Sequence, residues 1–389
     1  MDDRVSVIIP VYNVEPYIDE CISSIRSQVF RDIEIVIVDD GSEDETLKKC
    51  KEHEAQDNRI RLIHQDNKGV VSARQAGIET ASGKYITFVD GDDWIAPEAI
   101  QVMVDAIGDA DLVSVGVNNE VHGDYFVRMR DSLETGTYEG EALRDVYGHL
   151  VYDLANNMTH PITTWIWNKL YVTEKVRKIH QTLNPKLTFS EDAVFVYRYI
   201  LGCKKIVCLD SYLYYYRYRE ESALHRIDNH RLGKINDVYA EFLETFKDQP
   251  EEYRFSEQVY RWLIERCYIA LNERMGLGRE ERIIRYLIDC TNLRDKKIVI
   301  YGAGRVGKDI YFQLKKLNYN IALWIDKRSE TLRAEGWDVS PIETIKDVEY
   351  DVIIIAVENE SARNSMMKDL LMLGVSQEWI LDNHIIGLF

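Results

Sequence analysis

An apolar run at residues 85–89 ends at three carboxylates within four positions, Asp90, Asp92 and Asp93. Carboxylates this close repel one another unless a cation neutralises them. A glycine separates Asp90 from Asp92 and lets the backbone turn, so both side chains can face one Mg²⁺ or Mn²⁺ ion that also holds phosphate oxygens. The pattern therefore favours a metal–diphosphate site. In isolation it also fits an acidic turn that caps a helix opened at Pro97.

Alternating strand and helix patterns predict where these carboxylates lie. Four short apolar runs have the length of buried strands: residues 5–9, 33–38, 61–64 and 85–89. Asp39 and Asp40 follow the second run, just as the acidic turn follows the fourth. The carboxyl ends of parallel strands meet at one edge of a sheet, where open α/β folds bind ligands. We therefore expect an α/β nucleotide-binding unit at the start of the chain.

The pattern changes along the rest of the chain, which predicts three regions. Residues 1–225 form the first, which ends in an irregular part rich in Tyr and Trp. Helical patterns dominate residues 226–293, which we expect to be a helical linker or subdomain. A second α/β pattern occupies residues 294–389 and predicts a small Rossmann-like domain.

The third region carries a glycine-rich loop between a predicted strand and a predicted helix. Its glycines are Gly302, Gly304 and Gly307, and Asp326 follows 19 residues after the last of them. This spacing is typical of dinucleotide sites, where glycines allow a pyrophosphate to approach a helix N-terminus and the acid binds a ribose hydroxyl. These four residues are therefore a candidate nucleotide-binding site. In the alternative, the glycines only permit tight packing between the strand and the helix, and the domain mediates assembly. Under this alternative the protein could be a homo-oligomer.

The composition of the chain argues against nucleic-acid-binding, secreted and membrane-spanning proteins. The 389 residues are 46% hydrophobic, enough for more than one core, and a formal net charge of -18 argues against nucleic acid as a partner. Six cysteines lack metal-binding spacing, which is typical of reduced thiols in the cytoplasm. The sequence shows no signal peptide and no apolar run of membrane-spanning length. We expect a cytoplasmic protein, with peripheral association at the inner face of the cell membrane left open.

Four motifs resemble, in order and separation, those of the family 2 glycosyltransferases with the GT-A fold. They are Val5-Ser6-Val7-Ile8-Ile9-Pro10-Val11-Tyr12-Asn13, Val36-Ile37-Val38-Asp39-Asp40-Gly41-Ser42, Asn67-Lys68-Gly69 with Ser72-Ala73-Arg74, and Phe88-Val89-Asp90-Gly91-Asp92-Asp93-Trp94. A fifth, Ser190-Glu191-Asp192-Ala193-Val194-Phe195, resembles the family's acidic catalytic motif. Trp167-Asn168-Lys169-Leu170-Tyr171 resembles a stretch of bacterial surface-polysaccharide members, whose pathways also contain enzymes with appended Rossmann-like modules. The resemblance to the glycosyltransferases covers residues 1–225.

The resemblance implies a nucleoside diphosphate sugar as donor, held by residues of these motifs. The nucleobase would contact Asp40, and backbone near Pro10 and Tyr12 would line the same pocket. Arg74 would help to hold the ribosyl diphosphate, and Lys68 belongs to the same donor-binding set. We expect the donor to be UDP-linked.

The resemblance also implies a divalent metal, Mg²⁺ or Mn²⁺, held by Asp92 with Asp90 beside it. Asp93 is expected to cap the following turn. A later Tyr-rich stretch resembles the family's segment that closes over the diphosphate. There Arg219 and Ser222 are donor-binding candidates, because guanidinium groups bind phosphate well, and His225 is a candidate metal ligand.

Transfer also needs a base that removes the proton of the acceptor hydroxyl. By the resemblance this base is Asp192, with Glu191 as the alternative. A third interpretation is that both residues only cap a helix that begins after them. One base attacking opposite the leaving group implies a single displacement with inversion at the anomeric carbon.

Together these expectations predict a metal-dependent inverting glycosyltransferase. Its acceptor would be a glycan or lipid-linked glycan in bacterial envelope polysaccharide synthesis. Two alternatives stay open: an NAD-dependent sugar-nucleotide oxidoreductase that uses the C-terminal domain, and a non-catalytic scaffold. Gln258, Arg261 and Trp262 match a pattern of processive family members, which we interpret as a chance match on an amphipathic helix.

Overall fold

The protein is described by a computed structural model. The structure describes residues 3–122, 125–154, 158–159, 162–219, 228, 230–274, 286–288, 293–334, 336–357, 360–381 and 385–387. The chain divides into two units, Met1–Arg274 and Met275–Phe389.

The first unit contains the following strands and helices. The strands are β1 (Val5–Val11), β2 (Ile33–Asp39), β3 (Ile60–His64), β4 (Tyr85–Phe88), β5 (Trp94–Ile95), β6 (Leu112–His122), β7 (Tyr125–Met129), β8 (Gly136–Glu139), β9 (Tyr152–Asp153), β10 (Met158–Thr159), β11 (Lys169–Val172) and β12 (Lys205–Tyr216). The helices are α1 (Ile18–Arg26), α2 (Thr46–Gln56), α3 (Val70–Thr80), α4 (Ala99–Ile107), α5 (Glu141–Tyr147), α6 (Thr173–His180), α7 (Glu191–Leu201), α8 (Arg231–Phe246) and α9 (Phe255–Arg274).

A mixed sheet organises the first unit. Among the described residues it has the order β3-β2-β1-β4-β11-β6-β12-β5, with β7 beside β6 and β8 beside β12. Strands β1 to β4 pair in parallel, whereas β11 runs antiparallel to β4. Strands β1 and β2 are buried along their whole length because helices cover both faces of the sheet. The predicted α/β fold of this part of the chain is confirmed.

The sheet opens between β1 and β4 at their carboxyl ends. Strand β4 pairs with β1 only as far as Ile8, which lies opposite Phe88. Pro10 lies two residues further along β1 and pairs with Val38 of β2 on the other side. Proline cannot donate a backbone hydrogen bond, so it is tolerated where one neighbouring strand has departed. The opening places the acidic turn after β4 at this edge of the sheet.

Helices α8 and α9 of the predicted middle region are part of the first unit and contribute to its core. Phe242 of α8 and Trp262 of α9 are fully buried, and their rings meet at 4.8 Å. Gln258 accepts hydrogen bonds from the backbone N–H groups of Val151 and Tyr152 at 2.8 and 3.2 Å. Gln258 and Trp262, which match the processive pattern, thus serve as packing residues in the core.

The second unit is one half of a Rossmann-like fold. Its parallel sheet has the order β15-β14-β16, from β14 (Lys297–Tyr301), β15 (Asn320–Ile325) and β16 (Val352–Ile355), and the helices are α10 (Arg305–Lys316), α11 (Ser329–Ala334) and α12 (Glu360–Met372). Strands β13 (Tyr286–Ile288) and β17 (Ile385–Gly387) pair separately. The predicted small C-terminal α/β fold is confirmed. In the described parts of both units, no helix has the length and apolarity to cross a membrane.

Candidate functional site

The acidic turn is a tight backbone turn packed against the end of β1. The N–H of Asp93 donates to the carbonyl of Asp90 at 3.0 Å and closes the turn. A Cβ atom at Gly91 would lie 2.7 Å from Cγ1 of Val11, so a larger residue would push the turn away from β1. Glycine therefore allows Asp90 and Asp92 to lie at the opening of the sheet.

Asp93 does not cap the following turn, so that prediction was wrong. Its side chain is buried and accepts hydrogen bonds from the Tyr214 hydroxyl at 2.7 Å and from the Arg217 N–H at 2.8 Å. The Tyr214 hydroxyl in turn accepts a bond from the N–H of Asp90 at 3.1 Å. Burial, followed by the charges of Asp92 and Asp90, raises the pKa of Asp93 well above its ordinary value. Asp93 thus fastens the acidic turn to the end of β12.

Two arginines after β12 also hold the acidic turn. Arg217 donates through Nε to the carbonyl oxygen of Asp92 at 2.8 Å. Arg219 lies with Nη1 at 3.0 Å from Oδ2 of Asp92. The predicted donor-binding residue Arg219 is thus beside the predicted metal ligand Asp92. The other two candidates of this stretch, Ser222 and His225, lie outside the described residues.

Arg74 joins the acidic turn to the acidic motif. Its guanidinium is buried and pairs with Asp192, with Oε1 of Glu191 at 3.4 Å and with Oδ1 of Asp90 at 3.5 Å. Arg74 is on α3, whereas Glu191 and Asp192 begin α7, so these groups meet only when the two helices flank the sheet edge. Ser190 makes no side-chain capping bond, and both carboxylates that follow it contact Arg74. Within this structure they do more than cap a helix.

The charges in this cluster change the proton affinities of its members. Burial alone would lower the pKa of Arg74, but the charges of Asp192, Asp90 and Glu191 raise it well above its ordinary value. Burial raises the pKa of Asp90 to about 7, with Arg74 opposing and Asp92 adding to the shift. Burial and the charge of Asp192 also raise the pKa of Glu191 above its ordinary range. Burial therefore disfavours the ionised forms of Asp90 and Glu191 by more than the charge of Arg74 favours them.

Asp40 lies at the same edge of the sheet and holds the loop before α3. Its carboxylate accepts the N–H groups of Lys68 at 2.9 Å and Gly69 at 2.8 Å. Its own N–H donates to the carbonyl of Val11, between Pro10 and Tyr12. The structure therefore brings the predicted donor-binding residues Pro10, Tyr12, Asp40 and Lys68 together beside α3. The side chains of Tyr12 and Lys68 are exposed there.

In the second unit, the glycines of the loop have different surroundings. Gly302 has a φ of +110°, which favours glycine, and a Cβ at Gly307 would lie 1.9 Å from the carbonyl oxygen of Gly302. A Cβ at Gly304 would have no neighbour within 4 Å. Asp326 accepts the N–H of Ala303 at 2.7 Å and that of Arg328 at 2.8 Å. The packing explains Gly302 and Gly307, and nucleotide binding by Gly302, Gly304, Gly307 and Asp326 stays a prediction.

We expect Gly307→Ala to destabilise the second unit, because the new methyl group would collide with backbone atoms that cannot move aside. Overpacking of this kind costs about 1–3 kcal/mol. Gly304→Ala is the matched control, since its Cβ would meet open space and its φ of -72° suits any residue. Hydrogen–deuterium exchange of peptides from β14 and α10 in the full chain measures the difference. Equal protection in the two variants would contradict the packing role of Gly307.

Comparison with known proteins assigns the family. A model of "Glycosyl transferase family 2" matches residues 6–171, and a "C2185-like, N-terminal" model matches residues 294–381. The putative glycosyltransferase EpsH of Bacillus subtilis is 32% identical over 64% of this chain and 72% of its own length. This chain belongs to glycosyltransferase family 2. The glycosyltransferase GlyA of Streptococcus pneumoniae serotype 4 is 32% identical over 72% of this chain, but the match spans only 39% of the length of GlyA.

A solved structure shares the fold of this family 2 glycosyltransferase. It is S. aureus TarS 1-349 in complex with UDP-GlcNAc, with a TM-score of 0.51 and 22% identity over 71% of this chain and 74% of TarS 1-349. At this identity the likeness concerns the fold alone.

Sequence reasoning missed several residues that build the site of this glycosyltransferase. Tyr214, Arg217 and the buried Lys169 hold the acidic turn and the loop beside it, yet none was among the candidate site residues. The signal for Tyr214 is its spacing of two residues from Tyr216, which places both on one face of a strand. Lys169 carries a weaker signal, a charged residue at the start of an otherwise apolar strand.

Proposed function

We propose that this glycosyltransferase moves a sugar from a nucleoside diphosphate sugar, UDP-linked, to a hydroxyl of a glycan or lipid-linked glycan. The transfer inverts the anomeric carbon and depends on Mg²⁺ or Mn²⁺. The observation that supports this most strongly is the contact of Arg74 with both Asp90 and Asp192. This contact brings the candidate metal ligand Asp90 and the candidate base Asp192 together at the edge of the sheet, where α/β folds bind nucleotides. We further propose bacterial envelope polysaccharide synthesis as the setting.

The carboxylates of the acidic turn fit a divalent metal. No group of three or more His, Cys, Asp or Glu side chains suited to a metal occurs in the described part of the chain. Mg²⁺ commonly needs only one or two carboxylates, since substrate phosphates and water complete its shell. Asp92 and Asp90 supply two, and because burial and the charge of Asp92 raise the pKa of Asp90, a bound cation would favour its ionised form. When bound, such an ion would neutralise the charge that develops on the leaving diphosphate.

Asp192 is the base in this proposal, and Arg74 controls when it can act. In the described arrangement the Arg74 guanidinium pairs with Oδ1 of Asp192 and lowers the basicity of that carboxylate. A guanidinium also binds phosphate oxygens in a bidentate manner. When a donor is bound, its diphosphate competes for Arg74 and frees Asp192 to accept the proton of the acceptor hydroxyl. Arg219, which pairs with Asp92, can turn to the diphosphate in the same way.

The test is a screen of nucleoside diphosphate sugars for metal-dependent hydrolysis and for thermal stabilisation of the full chain. UDP-GlcNAc is the first donor to test, and GDP-linked and dTDP-linked sugars follow. A ligand present at 100 times its Kd stabilises the native state by about 2.7 kcal/mol. An NADH absorbance change on addition of a sugar nucleotide would instead support the oxidoreductase alternative. Binding without hydrolysis or transfer for any donor would support the scaffold.

We expect Mn²⁺ to stabilise the protein more at about pH 8 than at about pH 6, because Asp90 must lose its proton to bind the ion. Its pKa is raised to about 7, so the native state holds a proton that the unfolded chain has already lost. Without metal, stability therefore falls as pH rises towards 7. A bound metal ion stabilises ionised Asp90, so this loss of stability disappears when metal is present. Thermal unfolding with MnCl₂ or with EDTA at both pH values measures the difference, and Asp90→Asn should abolish its pH dependence. Equal stabilisation at both pH values would contradict the role of Asp90.

A further inference from the structure

A column of stacked aromatic rings lies beside the acidic turn. The ring of Trp165 stacks on Trp167 with centroids 5.1 Å apart and planes 8° from parallel. Trp167 stacks on Tyr214 at 4.0 Å and on Tyr216 at 5.7 Å. Tyr214 and Trp167 are almost fully buried, whereas Trp165 is only half-buried. Solvent therefore reaches the column at Trp165 and at Tyr216, which is also half-buried.

The column is connected to both halves of the reaction centre. The hydroxyl of Tyr214 bonds Asp93 and the N–H of Asp90, so the inner end of the column is part of the acidic turn. The strand that follows the tryptophans, β11, packs on α7 through Tyr171 and Phe195, whose rings lie 5.5 Å apart. Phe195 is one helical turn from Asp192. The column thus ends at the acidic turn, and the strand that follows the tryptophans packs on the helix that carries Asp192.

The loop that carries the tryptophans is held by a buried lysine. The Nζ atom of Lys169 donates to the carbonyl oxygens of Thr163 and Trp165 at 2.8 and 3.0 Å and to Oδ1 of Asn168 at 2.7 Å. The Asn168 amide donates to the carbonyl of Val115 at 2.6 Å. A buried ammonium group is costly unless it is fully hydrogen-bonded, so this arrangement favours one loop conformation. Such a fixed loop is suited to a binding surface, because little ordering is needed when a ligand arrives.

We propose that the solvent-facing side of Trp165 is a subsite for the acceptor, where the indole stacks on a pyranose ring of the glycan. This proposal rests on the proposed function. Pyranose rings have an apolar face of C–H groups and a polar rim, and a large aromatic surface matches that face. Among the described residues, the one aromatic ring that stacks on Trp165 is Trp167, on the inner side. In this proposal an acceptor held there presents its hydroxyl to Asp192, which takes the proton.

The test uses the full chain with UDP and MnCl₂ and a panel of probes. The probes are methyl β-glycosides of glucose, galactose and N-acetylglucosamine, the corresponding β-linked disaccharides, and a disaccharide carried on a long-chain lipid. Saturation-transfer NMR detects which saccharide protons contact the protein. We expect transfer to the C–H groups of one ring face. Trp165→Ala should weaken this binding by about tenfold, which corresponds to about 1.4 kcal/mol.

Matched variants separate stacking from a structural role. Trp165→Phe keeps a flat ring and should retain part of the affinity. Trp379→Ala removes a tryptophan that is 43% exposed in the second unit and should bind as the wild type does. Donor hydrolysis without acceptor is the second measurement, and Trp165→Ala should raise the KM for the saccharide by a larger factor than it lowers this hydrolysis.

The possible outcomes differ for the two proposals. Unchanged saccharide binding by Trp165→Ala, or no binding of any probe by the wild type, overturns the subsite. A parallel loss of donor hydrolysis and saccharide use shows that Trp165 acts only as a packing residue, which also overturns it. If no donor is hydrolysed but saccharides bind through Trp165, the proposed function fails and the subsite stands. Preference for the free or the lipid-carried disaccharide identifies the source of the acceptor.

Discussion

Asp92→Asn is expected to abolish sugar transfer and to weaken donor binding whenever Mg²⁺ or Mn²⁺ is present. The substitution keeps the shape of the side chain but removes the charge that would hold the metal and that pairs with Arg219. Loss of one group that stabilises charge in a transition state lowers the rate by about 10²- to 10³-fold, and loss of a metal removes at least as much. Transfer and donor affinity should both be measured with metal and with excess chelator.

Asp93→Asn is the matched control for this experiment. Asp93 is adjacent and buried, and in Asn the Oδ1 atom can still accept the Arg217 N–H while the amide nitrogen faces the Tyr214 hydroxyl oxygen. We therefore expect Asp93→Asn to retain metal-dependent transfer. If Asp92→Asn were as active as wild type, or if wild type were fully active in chelator, the metal role of Asp92 would be wrong.

Asp192→Asn is expected to retain donor affinity and to lose transfer by about 10²-fold or more, the usual contribution of a general base. Asn can still accept a hydrogen bond from Arg74, so the contact between the two helices should survive. Donor affinity can be measured by calorimetry and transfer by product formation from the same preparation. A collapse of donor binding would reassign Asp192 as a residue that holds the ligand or the fold.

Glu191→Gln distinguishes the two candidate bases. Glu191 is next to Asp192, and its Oε1 lies 3.4 Å from the same guanidinium. Burial raises the pKa of Glu191, so part of the population is protonated near neutral pH and cannot act as a base. If Asp192 is the base, Glu191→Gln should keep most of the transfer activity. A larger loss in Glu191→Gln than in Asp192→Asn would exchange the two roles.

The order of elements and the position of the motifs could be predicted from the sequence, because both depend on local patterns. Period-2 and period-3.6 apolar spacing predicts strands and helices, and parallel strands place Asp40 and Asp92 at one edge. The glycine-rich turn of the second unit is likewise a local signal. These predictions need no knowledge of which distant side chains meet.

The partners of the site residues were decided only by the tertiary structure. Arg74 and Asp192 are 118 residues apart, and Asp93 and Tyr214 are 121 apart. Their contacts depend on how α3, α7 and β12 pack against the sheet, and local propensity does not contain this information. A buried carboxylate such as Asp93 looks, in sequence, the same as one that caps a turn. The sequence by itself therefore determined which chemical groups this protein has and near which strand ends they lie, whereas packing between distant segments determined which of them are paired, neutralised or left to face a ligand.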